Sequence, residues 1–200
     1  MGGPVVRHAG VCAMSGAAQP AKSRGKTILL TGRPGVGKTT VIRRLADLLP
    51  SRAIAGFCTG EIREAGQRQG FDATTFSGSS GVLAHVGLKS RQRVGRYGVD
   101  VAAFERLVLP ELARPCDLLL IDEIGKMECF STRFVDAVRG LLAGPTPVVA
   151  TIGVSGAGFI AEVKRRSDVE IWQVTRESRE ETPRLVAARV FPLDGDRSDA

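Results

Sequence analysis

The sequence has few of the residues from which metal centres and disulfide frameworks are built. Two histidines and four cysteines occur among 200 residues, and no pair of cysteines has the Cys-x-x-Cys spacing. This scarcity excludes the common zinc sites and a small disulfide-stapled scaffold. Scattered thiols are typical of a reducing compartment, so we expect a cytoplasmic protein.

Long hydrophobic runs are missing as well. No apolar stretch approaches the roughly 20 residues that span a bilayer, so we expect no membrane partner. Residues 1–25 are rich in Gly, Ala, Pro and Ser and contain no acidic side chain, and we expect a basic leader without regular structure there. Residues 26–191 are predicted to form one domain, 192–200 a flexible tail, and the whole chain a monomer.

Acidic residues are absent from the first 46 positions, and this absence explains the basic charge of the protein. The net charge is +7, yet residues 1–46 hold eight of the 28 basic residues, leaving 20 basic against 21 acidic residues elsewhere. That basic region also lacks Phe, Tyr and Trp, which nucleic-acid-binding surfaces interleave with basic side chains. Nucleic acid is therefore not an expected partner, and a nucleic-acid-stimulated ATPase is only the second alternative function.

Apolar strands alternate with amphipathic helices along most of the chain. This pattern predicts an α/β fold in which a mainly parallel sheet is covered by helices on both faces. Residues 54–63 and 70–76 are predicted to form an inserted β-hairpin, with another strand at 82–86. Residues 87–99 are predicted to be a polar, basic loop before a helix capped by Asp100.

A glycine-rich loop follows the first predicted strand, residues 27–31, and matches G-x-x-x-x-G-K-[ST]. Its residues, with the threonine after it, are Gly32, Arg33, Pro34, Gly35, Val36, Gly37, Lys38, Thr39 and Thr40. Glycines let main-chain N–H groups converge on phosphate oxygens, and a helix N-terminus adds positive potential. We expect Lys38 to contact the β- and γ-phosphates and Thr39 to bind Mg²⁺, which makes nucleoside triphosphates the expected ligands.

Two acidic residues end a buried strand in the second half of the chain. Asp122 and Glu123 follow the apolar run 118–121, at the end of a parallel strand where ligands bind in such sheets. We expect Asp122 to hold Mg²⁺ together with Thr39, and Glu123 to activate a water for attack on the γ-phosphorus. Thr151, at the end of the strand predicted over 147–152, is a candidate γ-phosphate sensor. The alternative is a threonine that hydrogen-bonds only to the backbone.

Four segments of the sequence have a pattern that is specific to one protein family. They are Leu30–Thr40, Gly56–Arg63 with Arg68–Phe71, Arg93–Val99, and Ile121–Glu128. Together they resemble the small stand-alone nucleoside-triphosphatase family, whose members include cancer-related and thermophilic NTPases. The resemblance implies a RecA-like P-loop fold and slow, Mg²⁺-dependent hydrolysis of ATP, GTP and other nucleoside triphosphates to the nucleoside diphosphate and phosphate.

The chain departs from the family pattern at two places. A histidine that the family often has before the helix following Thr151 is absent, because residues 153–158 read Gly-Val-Ser-Gly-Ala-Gly. The family's Glu-Asn-Arg appears here as Glu177, Ser178 and Arg179. Any role of that histidine or asparagine is therefore not carried over to this chain.

Arginines near the expected phosphate site complete the candidate residues. Arg96, in the basic loop, is a candidate arginine finger for the γ-phosphate, although a solvated loop is the alternative. Thr175 and Arg179 are placed to contact the base. A nucleotide- or nucleoside-kinase-like phosphotransferase remains the main alternative function; Glu123 disfavours it, because a water-activating carboxylate suits hydrolysis.

Overall fold

The computed structural model describes residues 25–192, so the predicted leader and tail lie almost entirely outside the described residues. Within this range the strands are β1 (Thr27–Thr31), β2 (Ile54–Glu64), β3 (Gln67–Thr75), β4 (Ser80–His85), β5 (Arg93–Val94), β6 (Tyr97–Val99), β7 (Leu118–Ile124), β8 (Val148–Ile152) and β9 (Val169–Gln173). The helices are α1 (Lys38–Asp47), α2 (Val101–Leu112), α3 (Thr132–Ala143), α4 (Phe159–Lys164) and α5 (Thr182–Val190), with a short 3₁₀ helix at Glu128–Phe130.

All these strands form one sheet with the order β5-β6-β4-β3-β2-β7-β8-β1-β9. We call β2, β7, β8, β1 and β9 the parallel half, because each adjacent pair in it runs parallel. We call β3, β4, β6 and β5 the antiparallel wing, because each of them pairs antiparallel with its neighbours. The two therefore share a single hydrogen-bonded sheet, joined at β2.

Two apolar cores cover the two faces of the sheet. On one face α2, α3 and α4 pack around Phe57, Phe104 and Phe134, whose rings meet edge to face. On the other face α1 and α5 pack against the buried β1 residues Ile28 and Leu30. This layering confirms the predicted α/β fold with helices on both faces. None of the helices in residues 25–192 is long and apolar enough to cross a membrane.

The structure differs from the sequence-based expectations in the wing. The prediction of a loop over 87–99 is wrong in part, because β5 and β6 form a small hairpin there. The predicted hairpin of residues 54–63 and 70–76 is present, because β2 and β3 pair antiparallel, and both strands belong to the single sheet. The carboxyl end of β7 also extends past Asp122 to Ile124, and its pairing with β8 is irregular between Ile121 and Ile124.

Candidate active site

The phosphate loop lies between β1 and α1, as predicted. Gly37 caps α1 with a φ of 107°, a left-handed conformation that glycine adopts without strain. A side chain at Gly32 would have its Cβ 2.5 Å from the carbonyl oxygen of Val174, so only glycine fits. Arg33, Pro34 and Gly35 are exposed around the opening of the loop. The backbone thus has the compact turn that a phosphate-binding loop requires.

The first turn of α1 carries the reactive polar side chains of the loop. The Lys38 ammonium donates a hydrogen bond to the carbonyl oxygen of Gly32, at 3.2 Å. Lys38 and Thr39 are half-buried, whereas Thr40 is exposed. Because α1 begins at Lys38, the positive end of its dipole faces the loop, where a phosphate would be stabilised.

Asp122 and Thr151 meet at the carboxyl ends of neighbouring strands. Strand β8 lies between β1 and β7, so Thr151 stands between the phosphate loop and the acidic strand end. The Thr151 hydroxyl donates a 2.6 Å hydrogen bond to Oδ1 of Asp122. The Thr151 hydroxyl therefore hydrogen-bonds to a carboxylate, which differs from the alternative of a hydrogen bond to the backbone alone. This bond fixes the orientation of an aspartate that is 1% exposed.

The second carboxylate oxygen of Asp122 is suited to bind a cation. Oδ2 is buried and has no hydrogen-bond partner among the described residues, which is costly for a carboxylate. Carboxylate and hydroxyl oxygens are the donors that Mg²⁺ prefers, and Mg²⁺ commonly takes one or two protein ligands plus phosphate oxygens and water. Asp122 and Thr39 fit that description. Residues 25–192 contain no cluster of three or more His, Cys, Asp or Glu suited to a metal.

Glu123 is the carboxylate next to Asp122 and is half-buried. Burial raises its pKa, the positive charge of Lys38 opposes that rise, and the negative charge of Asp122 adds to it, so that the net shift is upward. Its Oε1 would lie 3.7 Å from a Cβ placed on Gly153, in the loop that follows β8. Glu123 therefore has a charged neighbour from the phosphate loop and an uncharged glycine loop on its other side.

A cleft of about 540 Å³ adjoins the phosphate loop on the side of β9. Its walls are Arg33, Pro34, Gly35, Val36, Gln173, Val174, Thr175, Arg176 and Glu177. The turn after β9 is ordered by Ser178, whose hydroxyl accepts a 3.0 Å hydrogen bond from the N–H of Thr175. The Cδ atom of Arg179 would lie 3.2 Å from a Cβ on Gly37, so this side chain covers the phosphate loop. Thr175 and Arg179 are thus brought beside the loop.

Comparisons with known proteins agree with this geometry. A protein-family model described as NTPase matches residues 27–187. The chain belongs to this NTPase family. It is 43% identical over 170 residues to the human cancer-related nucleoside-triphosphatase, covering 76% of this chain and 90% of that protein. It is also 43% identical over 155 residues to the nucleoside-triphosphatase THEP1 of Thermotoga sp. (strain RQ2), covering 76% and 88%.

Solved structures show the same fold. The crystal structure of THEP1 from Aquifex aeolicus superposes with a TM-score of 0.75 at 34% identity, covering 82% of this chain and 98% of that one. The solution structure of the human cancer-related nucleoside triphosphatase gives a TM-score of 0.70 at 40% identity, covering 82% and 97%. The expected P-loop NTPase fold is therefore confirmed.

Arg96 lies on the wing, in the turn between β5 and β6, and its contacts there are with other residues of the wing. Its guanidinium donates to the carbonyl oxygen of Arg68 and stands 5.3 Å from the centre of the Tyr97 ring. Arg93, on β5, donates in turn to the carbonyl of Arg96 at 2.7 Å. In this NTPase the arginine finger predicted at position 96 is thus held by the wing, and a catalytic role for it stays a prediction.

Two residues near the site were not singled out from the sequence. Lys164 donates to the carbonyl oxygens of Gly153 and Val154, and so ties the glycine loop after β8 to α4. Glu128 is buried beside Gly125, directly after the acidic strand end. The signal for Glu128 was present as an acidic residue between Met127 and the apolar pair Cys129 and Phe130. A charge in such a setting needs a partner or a proton.

Proposed function

We propose that this NTPase family member hydrolyses nucleoside 5′-triphosphates, ATP and GTP among them, to the nucleoside diphosphate and phosphate in a Mg²⁺-dependent reaction. One observation carries the proposal. The Asp122–Thr151 hydrogen bond and Glu123 lie at the carboxyl ends of β7 and β8, next to the strand that leads into the phosphate loop. This arrangement supports the proposal, because triphosphate hydrolysis requires phosphate binding, metal binding and water activation at neighbouring positions.

Each residue has a distinct role in the proposed reaction. Main-chain N–H groups of the loop and the Lys38 ammonium bind the β- and γ-phosphates and neutralise their charge. Glu123 accepts a hydrogen bond from the attacking water and orients it towards the γ-phosphorus. Its raised pKa brings the carboxylate closer to the range in which a general base works at neutral pH. Bound Mg²⁺, held by Thr39 and Asp122, would neutralise charge on the β- and γ-phosphate oxygens.

The base site explains the proposed broad specificity. The cleft between the phosphate loop and residues 173–177 offers main-chain groups and the side chains of Arg33, Thr175 and Arg176. Arg179 can stack against a base of any kind, because every base has a π-face. A site of this composition binds purines and pyrimidines with little discrimination, and we expect similar kcat/KM values across the common triphosphates.

The decisive experiment measures phosphate release from ATP, GTP, CTP and UTP with and without Mg²⁺. The parent protein should release phosphate only with Mg²⁺, and Glu123→Gln should lower kcat at least about 100-fold, the range seen when a positioned catalytic group is removed. Glu162→Gln is the matched control, because Glu162 is an exposed glutamate of α4 that pairs with Arg139. Parental kcat in Glu123→Gln would contradict the assigned mechanism.

The same assay separates hydrolysis from phosphotransfer. A kinase-like enzyme would require a hydroxyl-bearing acceptor, so its phosphate transfer should rise when nucleosides or nucleoside monophosphates are added. We expect release to be independent of such acceptors and of added RNA or DNA at low salt. Formation of a phosphorylated acceptor at a rate above hydrolysis would favour the phosphotransferase instead.

A further inference from the structure

Glu128 is a buried glutamate that the proposed reaction does not yet use. It begins the 3₁₀ helix directly after β7 and is only 5% exposed. A methyl group on Gly125 would lie 2.7 Å from Oε2 of Glu128 and 3.4 Å from Oε1 of Glu123. Both carboxyl groups therefore lie close to the same point beside Gly125, and glycine has no side chain there to separate them.

The surroundings of Glu128 favour its neutral form. The pKa of Glu128 is raised to about 8. Burial is the main cause, the charges of Glu123 and Asp122 add to the rise, and the backbone N–H groups of Glu128 and Gly125 oppose it. From the neighbouring α2, Glu105 brings another carboxylate, but it is paired with Ser131 and Arg133. Lys38 is the cation that acts on Glu123. A neutral carboxyl group differs from a carboxylate because it has an O–H to donate.

We propose that Glu128 is a positioning residue, whose carboxylic acid donates a hydrogen bond that fixes the carboxylate of Glu123 for water activation. This role rests on the proposed function of Glu123. A donor behind Glu123 leaves its other oxygen for the water, and it prevents the carboxylate from rotating towards Lys38. Glu128 touches neither water nor phosphate in this arrangement, so its effect passes entirely through Glu123.

Two substitutions at position 128 distinguish a hydrogen-bond donor from a side chain that only fills the same volume. Gln keeps the size and an N–H donor, whereas Met keeps most of the volume and donates nothing. With ATP and Mg²⁺ and the full chain, we expect Glu128→Gln to retain at least about half of kcat. Glu128→Met should lower kcat about 10- to 100-fold while KM for ATP changes less than about twofold, since a hydrogen bond to a charged group is worth about that factor.

The matched control is Glu111→Gln, because Glu111 is equally buried, at 5%, but lies on α2 and pairs with Arg114. It should keep the parental kcat. Parental kcat in Glu128→Met, or equal losses in the Gln and Met variants, would overturn the positioning role. Glu123→Gln is assayed in parallel. If it is inactive while Glu128→Met is fully active, only the role of Glu128 fails, whereas an active Glu123→Gln overturns the proposed mechanism and the role of Glu128 with it.

A second variant tests the same contact without changing Glu128. The methyl group of Gly125→Ala would displace the Glu128 carboxyl and would also lie 3.3 Å from Cγ of Glu123, so both carboxyl groups would shift relative to each other. We expect kcat to fall about tenfold or more, as the loss of a hydrogen bond to a charged group predicts. Gly140→Ala in α3 is its control, because a Cβ there meets nothing within 4 Å. Parental kcat in Gly125→Ala, with a melting temperature like that of the Gly140→Ala protein, would contradict the proposal.

Discussion

The parallel half and the antiparallel wing belong to one sheet, but they differ in what their strand ends present. In the parallel half, strands β1, β7 and β8 end together at one edge, so that Thr151, Asp122 and the phosphate loop become neighbours. In the wing, alternate strands end at opposite edges, and Arg93 and Arg96 donate hydrogen bonds to carbonyl oxygens of the wing itself. Parallel topology therefore concentrates functional groups, whereas antiparallel topology disperses them.

The first way to test this comparison is to remove the cation of the phosphate loop. Lys38→Ala should lower kcat/KM for ATP by about 100-fold or more, because the variant loses a charge that acts on the transferred phosphoryl group. Steady-state phosphate release measures the effect. Arg44→Ala, on the exposed face of α1 and paired with Glu180, is the control and should remain within about twofold of the parent, since exposed ion pairs contribute little.

The second test removes the side-chain hydrogen bond between Thr151 of β8 and Asp122 of β7. Thr151→Val keeps the shape of the side chain but deletes the hydrogen bond to Asp122. We expect kcat to fall about 10- to 100-fold and the Mg²⁺ concentration for half-maximal rate to rise, because the carboxylate is no longer held in place. A Mg²⁺ titration of phosphate release checks both. An unchanged half-maximal concentration would count against a metal role for Asp122.

The third test asks whether the wing takes part in the reaction at all. Arg96→Ala should lower kcat about tenfold, less than removal of a full arginine finger, and should leave nucleotide binding nearly unchanged. Arg91→Ala, from the same basic segment, is the control. Equal kcat in Arg96→Ala and the parent would assign all of the chemistry to the parallel half. A loss as large as that of Lys38→Ala would mean that the wing closes over the nucleotide.

The smallest effect on activity is expected at the ion pair between Glu111, which is buried, and Arg114, which is partly exposed. Burial opposes the charge of Glu111, but hydrogen bonds from Arg114, Ser77 and Gly56 hold its pKa below the usual value. Its contribution to folding is therefore present above the unfolded-state pKa and is lost as the pH falls through the lowered one. Glu111→Gln should reduce the free energy of unfolding by about 1–3 kcal/mol at pH 7, and by less at acidic pH. Urea unfolding at several pH values measures this difference.

The same contrast explains how well the sequence predicts each region. In the parallel half, continuous apolar runs such as 118–121 mark strands that are buried on both faces, and the predicted strands at 27–31 and 147–152 agree with β1 and β8 within one residue. In the wing, β5 has two residues and β6 three, in a basic segment with no apolar run. Their pairing depends on contacts with β4 across the sheet, which local periodicity does not encode.

The residues of the candidate site also differ in how well the sequence predicts them. The phosphate loop, Asp122, Glu123 and Thr151 follow from a motif and from the rule that parallel strands end at one edge. Arg96 donates a hydrogen bond to the carbonyl oxygen of Arg68, 28 positions away. This contact depends on the fold of the wing and cannot be predicted from the local sequence. The burial of Glu128 comes from the packing of the 3₁₀ helix against β7, α2 and α3, so its apolar sequence neighbours give only a weak signal for it.

Strand β2 belongs to both halves of the sheet, and this limits how the chain can be rebuilt. Residues 54–58 pair with β7, and residues 57–64 pair with β3. A shortened chain without the wing would leave the main-chain groups of 57–64 as an open edge, which is a template for aggregation. Protein engineers would do better to insert than to delete, and the exposed turn at Ala65 and Gly66 is the place where a tag or a second domain disturbs no strand pairing.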